Sequence, residues 1–511
     1  MLSPLFDRIA AQAERQPEAL ALQAGDRRLS YREFAQLINT TAGQFQAEGL
    51  VAGSVIGWLG HNSPEMLAAL LACAKLGAVW VPLNWRLAAP ELAAIVAHAG
   101  VSVLKHTPEL AGLAGQVRAL APRPVPPGLP PVGAQPATGF EGQPSAAAQP
   151  GDLMRVYTSG TTGEPKGAVH TQAGMLANID LALAVQGLTA ADRVLAVLPL
   201  FHVGGLCIQV LPALAVGAAV NLHARFDAAA WLQAVAAWRP STSLLVPAVM
   251  QALQAHPDWP SADLSGLRFV NSGSQVVAVA LIQAFHRRGV PVAQVYGSTE
   301  TGPFSIALRP DEALTQVGSV GRPAPGVRLR LVDQLGADVA PGDVGEIWLQ
   351  APNLMRGYHR LPAGAGFVAG WFATGDLARA DDQGQVWVVG RSQDLIISGG
   401  ENIHPAEIEN LAAAWPGVAE AAVVGQPDAR WGEVPVLVLV AQPGMPIDLD
   451  GLRAEFGRCL ARFKHPSRIV VADALPRTAL GKVQKAVLCR SLLAAVELAV
   501  AAQPAVRPVA R

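Results

Sequence analysis

Short apolar runs alternate with helical patterns along most of this chain, and that alternation limits its fold more than any other feature. Ser3 to Arg15 carries a helical pattern, Ala19 to Ala24 with Arg28 to Ser30 a short hairpin, and Tyr31 to Glu48 a second helix. Val55 to Leu59 reads as a strand, Ser63-Pro64 opens a helix to about Leu76, and Val79 to Leu83 is another strand. Strand–helix–strand repetition requires a mostly parallel sheet covered on both faces. The pattern stops at Ala121 to Pro150, a Pro-, Gly- and Gln-rich connection to which no chemistry is assigned, and resumes from Leu153 to about Leu308. From Val317 the segments shorten (Val327–Val332, Gly345–Leu349, Gln385–Val389) between Pro and Gly turns, which predicts a small β-subdomain. After Gly390-Arg391 a compact α/β unit follows, with helices at Pro405–Ala414 and Leu449–Ala461 and strands at Ala421–Val424, Val434–Val440 and Arg468–Val471.

Composition narrows the function. A length of 511 residues suggests two to four domains, at roughly 100–200 residues each. Apolar residues make up 51% and charged ones 15%, which excludes wholesale disorder. A net charge of −1 gives no basic field for nucleic acid or an anionic membrane, so any bound phosphate must be held by local geometry. Cys73, Cys207, Cys459 and Cys489 are scattered without a C-x-x-C pair, which argues against a disulfide framework or zinc site and fits a reducing cytosol. Asp7, Arg8, Glu14, Arg15 and Glu18 interrupt the N-terminal stretch, so no signal peptide is expected. Val203 to Leu222 has no charge, but Gly204, Gly205, Gln209, Pro212 and Gly217 make a buried helix and strand the better reading than a membrane span. The expectation is a cytoplasmic protein that binds neither nucleic acid nor membrane; the oligomeric state is not legible.

The sharpest local signal is Tyr157-Thr158-Ser159-Gly160-Thr161-Thr162-Gly163-Glu164-Pro165-Lys166-Gly167. It follows a short strand, Leu153 to Val156, and precedes a helical stretch, which predicts a strand-to-helix turn. Three glycines, four hydroxyls and a lysine supply backbone N–H donors, rotatable O–H donors and a point charge suited to a polyphosphate. The Gly-Lys-Ser/Thr ending of a P-loop is missing. Glu300 is a carboxylate among hydroxyls after the strand-like Val292–Tyr296, the kind of hard ligand that magnesium on a nucleotide takes. Asp376, in a Gly-containing turn, can accept from two vicinal hydroxyls.

The string at 157–167 resembles the phosphate-loop signature of the adenylate-forming superfamily, which holds acyl-CoA synthetases, adenylation domains and beetle luciferases. Further matches follow in order: Tyr296-Gly297-Ser298-Thr299-Glu300-Thr301, Thr374-Gly375-Asp376, Gly390-Arg391 with Asp394 to Ile403, and Pro476 to Lys482. The resemblance implies a large N-terminal domain, 1–391, of two mostly parallel α/β sheets plus a β-subdomain at about 317–390. A small mobile C-terminal α/β domain, 392–511, would complete the fold. It gives Tyr296 to the adenine face, the Asn271–Gln275 segment (Gly273, Ser274 and Gln275 among it) to the adenine edge, Asp376 and Arg391 to the ribose, and Glu300 to Mg2+. Thr158, Lys166 and the mobile Lys482 would stabilise phosphoryl charge as a carboxylate attacks the α-phosphorus of ATP. Gly399 and Gly400 would then pass a pantetheine arm. The hinge position holds Gln393, where the family usually has Asp or Lys.

The second half-reaction separates the branches. Amino-acid adenylation domains carry an Asp where Leu198-Pro199-Leu200-Phe201-His202 has histidine, and barely thirty residues follow Lys482. Coenzyme A as the thiol is therefore expected, with transfer to a carrier protein or a non-catalytic adenylate-binding relative as alternatives. Resemblance to aryl-CoA ligases implies CoA contacts at Trp431, Arg86 and Phe463-Lys464. It also makes His202 a gate between the acyl and thiol sites. Val203, Gly204, Gly205, Gly302, Pro303 and Phe304 are expected to wall the acyl pocket, with Gly204, Gly205 and Gly302 on its floor. No Arg or Lys stands among them, which favours an apolar aryl or medium- to long-chain acid over a dicarboxylate.

Overall fold

The computed structural model describes residues 4–122, 149–159, 165–398, 401–428, 430–477 and 483–492. A six-stranded sheet takes its parallel centre from Val55–Leu59, Val79–Leu83, Val103–His106 and Asp152–Ser159. Its far edge is antiparallel, formed by Pro165–Thr171 and Gly357–Tyr358. A nine-stranded sheet has the parallel centre Val292–Tyr296, Phe269–Gly273, Thr242–Leu245, Arg193–Ala196, Ala219–Leu222 and Leu20–Ala24. Both are the mostly parallel sheets that the alternating pattern requires.

One helix joins them. Ser63 caps Pro64–Leu76 by accepting from Met66 N–H, Pro64 occupies the first turn, and Gly77 closes the end in the left-handed conformation. Residues Met66 to Ala74 of this helix are all buried. They share one core with Ile56, Trp80 and Met154 of the smaller sheet and Leu22, Val194 and Val220 of the larger. Each fully buried leucine there contributes about 1.5–3 kcal/mol, so the helix is part of the core that the two sheets share.

The uncharged run at 203–222 is a helical segment with a π-turn at Leu206–Val210, ending in the strand Ala219–Leu222. Gln209, one of its two polar side chains with Asn221, is buried and donates to Thr242 Oγ1 and Asn271 Oδ1 at 2.9 and 2.7 Å. Among the described residues no helix is long and apolar enough to cross a membrane. The β-rich stretch forms a five-stranded sheet centred on Val344–Gln350 and Trp371–Ala380. A fourth sheet, centred on Gly432–Ala441 and Val418–Asp428, packs the helices Pro405–Ala413 and Leu449–Cys459 on its own core.

The predicted strand-to-helix turn at the Gly/Ser/Thr string is corrected. The strand runs on to Ser159 and returns antiparallel as Pro165–Thr171, with Thr158 opposite Lys166. The helix Gln172–Gln186 begins only after that, capped by Thr171. The described ends of the string, 157–159 and 165–167, are therefore paired strand on both sides, and the helix begins five residues beyond Gly167. Its β-branched and aromatic flanks, Val156-Tyr157-Thr158 and Val169, favour strand on both sides.

Candidate active site

The strands Phe269–Gly273 and Val292–Tyr296 are parallel neighbours, so Gly273 and Tyr296 end side by side. At that end Tyr296 donates to Asp376 Oδ2 at 2.8 Å, and Arg391 Nε lies 2.9 Å from Asp376 Oδ1. The pairing of Trp371–Ala380 with Val386–Arg391 places Asp376 directly opposite Arg391. Burial, and then the Asp376 carboxylate, push the Tyr296 phenol far above its ordinary range. Asp376 likewise raises the Arg391 guanidinium. This trio is a pre-set acceptor with a cation and an aromatic ring beside it, which suits a nucleoside.

Ser274 and Gln275 are exposed beside it, and Ser274 holds φ 75°, a left-handed conformation unusual for serine. Asn271 and Ser272 do not share that exposure. Asn271 is buried, accepting from Gln209 and donating to Ala293 O at 3.0 Å. Gly273 is buried with them, so Ser274 and Gln275 are the exposed members of the expected adenine-edge segment.

The turn 297–301 leads from Tyr296 to Glu300. A Cβ on Gly297 would stand 1.9 Å from the Pro303 carbonyl, so only glycine allows this close return. Ser298 N–H donates to Thr301 Oγ1 at 2.8 Å, while the buried Ser298 hydroxyl has no partner among the described residues. Thr299 is half-buried in the same turn. Tyr358 donates to Glu300 Oε1 at 3.0 Å, and the Lys166 ammonium stands 5.7 Å over the Tyr358 ring. Thr158 is half-buried on the strand beside Lys166. Hydroxyls, one carboxylate and one lysine thus gather at the opposite end of the turn from Asp376.

These donors fit a magnesium nucleotide. Glu300 and the unpaired Ser298 hydroxyl are hard oxygens. No group of three or more His, Cys, Asp or Glu suited to a metal occurs among the described residues, so the phosphates would supply much of the ion's shell beside Glu300.

Other expected residues fall elsewhere. His202 precedes the short helix Val203–Gly205, its ring 4.3 Å from that of Phe201. Trp431 and Phe463 are exposed on the small C-terminal unit, each beneath its neighbouring cation, Arg430 at 4.7 Å and Lys464 at 5.8 Å. Arg86 is exposed over the Trp85 ring at 5.1 Å. Gly160, Thr161, Thr162, Gly163, Gly399, Gly400 and Lys482 lie outside the described residues.

The three glycines of the expected pocket floor differ in their surroundings. Gly302 has φ 91°, and a Cβ there would stand 2.3 Å from the Asn353 carbonyl. A Cβ on Gly205 would stand 2.4 Å from the Pro199 carbonyl. Both glycines are pressed against backbone. Gly204 alone of the three has room, its nearest neighbour being Ile208 Cδ1 at 4.0 Å.

The segment 353–358 went unread in the sequence and clamps the loop 300–304. Asn353 is buried and donates to Thr301 O and Phe304 O at 3.0 and 3.1 Å. Met355 N–H donates to Glu300 O at 2.7 Å, and Tyr358 reaches the Glu300 side chain. An Asn and a Gly-Tyr pair in an otherwise ordinary stretch were the available signals.

Comparison with known proteins identifies the family. The AMP-binding enzyme family matches residues 9–359, and the AMP-binding enzyme C-terminal domain matches residues 407–482. An indoleacetate–CoA ligase of Aromatoleum aromaticum is 45% identical over 95% of this chain and 96% of its own. A feruloyl-CoA synthase of Amycolatopsis is 39% identical over 93% and 96%. The crystal structure of an anthranilate CoA ligase with anthranoyl-AMP superposes with a TM-score of 0.86 at 27% identity, covering 98% of this chain and all of that one. By the extent of these matches and the order of its motifs, the chain belongs to the AMP-binding enzyme family.

Proposed function

We propose that this protein is an ATP-dependent, AMP-forming carboxylic acid–CoA ligase whose acid is aromatic and carries no second charge. The turn 297–301 is the observation that carries the reading, because it joins a nucleoside-type pocket at Tyr296, Asp376 and Arg391 to a phosphate-type cluster at Glu300, Lys166 and Tyr358. Asp376 accepts the ribose hydroxyls with Arg391 beside it, the Tyr296 ring lies on the adenine, and Gly273–Gln275 border its edge. Glu300, with the ATP phosphates, would hold a magnesium ion, which would offset phosphate charge.

Thr158, Lys166 and residues 160–163 hold the polyphosphate so that the acid's carboxylate oxygen meets the α-phosphorus in line as the bond to pyrophosphate breaks. Lys482 stabilises the charge developing on the phosphoryl oxygens. In the second half-reaction CoA sulfur attacks the acyl carbon and AMP leaves. Trp431, Phe463 and Arg86 serve the CoA side, and Gly399-Gly400 admits the pantetheine arm. His202 borders both sites. This division assigns 1–391 and 392–511 to separate domains that turn about Gln393.

Aromatic acids are favoured because indoleacetate, ferulate and anthranilate are the acids named for the three proteins compared. Val203 and Phe304 are buried and apolar, and neither neighbouring segment carries Arg or Lys. Pyrophosphate release across benzoic, cinnamic, indole-acetic and straight-chain acids, with and without CoA, tests both claims. An arylalkanoic or cinnamic acid should lead with CoA-dependent turnover. A straight-chain acid in front would overturn the aromatic assignment, and pyrophosphate release without acyl-CoA would overturn CoA as acceptor.

A further inference from the structure

Tyr358 stands between the two charged groups of the phosphate end and belongs to neither motif. Its strand, Gly357–Tyr358, is the edge of the six-stranded sheet and pairs Tyr358 with Ala168, two residues from Lys166. That register brings the ring beneath the Lys166 ammonium and aims the hydroxyl at Glu300 Oε1, 3.0 Å away. The ring is further packed beside Met355 and Phe372, which limits its freedom. Asn353 and Met355, from the same segment, bond only the backbone of the loop 300–304. Tyr358 is the residue of that clamp that touches the Glu300 side chain.

We propose that Tyr358 is a positioning residue for the magnesium nucleotide: its hydroxyl fixes the Glu300 carboxylate in the orientation that meets the metal. A carboxylate held by a donor on one oxygen keeps its other oxygen directed, whereas an untethered glutamate samples several rotamers and loses that freedom on binding. The inference rests on the proposed ATP-dependent reading and deepens it. Lys166 over the same ring ties the orientation of Glu300 to the lysine that faces the polyphosphate, so one aromatic side chain sets the spacing of both charges.

Tyr358→Phe keeps the ring and removes the hydroxyl. The test is the thermal shift produced by ATP with Mg2+ against ATP with EDTA, with the Mg2+ dependence of pyrophosphate exchange beside it. Wild type should show an extra shift with Mg2+. Tyr358→Phe should lose most of that extra shift, keep the shift given by ATP in EDTA, and require roughly 10-fold more Mg2+ for half-maximal exchange, the scale of one hydrogen bond to a charged group. In a Glu300→Gln background the same substitution should change the Mg2+ response no further, because its route to the metal is gone. A wild-type Mg2+ response in Tyr358→Phe would overturn the inference, as would equal loss of both shifts or an undiminished effect in the Glu300→Gln background. Absence of any Mg2+-dependent shift in wild type would overturn the reading of Glu300 itself.

Discussion

Gly204 and Gly302 were read alike from the sequence, as small residues on an acyl pocket floor, and the structure separates them. Gly302→Ile would drive a branched side chain into the Asn353 backbone at a positive φ, at a cost of several kcal/mol. Its expected outcome is poor soluble yield or a sharply lowered melting temperature, with activity on every acid falling together. Gly204→Ala should fold normally and, if the open side of Gly204 faces the acid, lower kcat/KM for the bulkiest aromatic acids by roughly 10-fold while sparing benzoate. A Gly302→Ile enzyme that melts normally would contradict the geometry, and a uniform loss in Gly204→Ala would remove it from the acid site. Trp431 is 47% exposed, so Trp431→Ala should leave stability within about 0.5 kcal/mol. The KM for CoA should rise by the roughly 1–3 kcal/mol of a lost base stack, with pyrophosphate exchange unchanged. An unchanged KM would take Trp431 out of the CoA site.

Elements with a strong local pattern were legible: the helix Pro64–Leu76 announces itself by Ser63-Pro64 and Gly77, and Val79–Leu83 by an apolar run. The antiparallel strand Pro165–Thr171 was not, because it runs straight into a helix and only tertiary pairing marks the boundary. That same sheet edge holds His359, 5% exposed, with Nε2 3.1 Å from the His98 carbonyl and 3.5 Å from Arg155 Nη1. Burial, and then the nearby Arg155 guanidinium, depress the imidazole to about 4. Above the unfolded value near 6.5 both states are neutral. As pH falls below it the unfolded chain takes the proton and the folded edge does not, so stability present at neutral pH is lost between about 6.5 and 4. Urea unfolding at pH 5 and pH 7.5 should show a wild-type loss of which about 1–2 kcal/mol disappears in His359→Gln. The same acid loss in both proteins would exclude His359 as its source.

At the scale of the molecule the two sheets, the β-rich sheet and the small C-terminal sheet all followed from patterns of period and punctuation. The proposed site residues were named from the sequence only where a motif carried them. Asn353 and Tyr358 act on a loop some fifty residues earlier in the chain, and no local pattern encodes that register. The domain division makes its own prediction. Lys482→Ala should slow adenylate formation 10²–10³-fold, the scale of one electrostatic donor, while CoA transfer from supplied acyl-adenylate stays near wild type. Equal damage to both halves would contradict two alternating domain poses.

The central claim is that a carboxylate oxygen bonds to the α-phosphorus before the thiol acts. It is tested most directly by turning over an aromatic acid labelled with oxygen-18 in its carboxylate, with ATP, Mg2+ and CoA, and weighing the products. An acyl-adenylate leaves one labelled oxygen in AMP and one in the thioester. Unlabelled AMP, or ADP and phosphate in its place, would contradict the account.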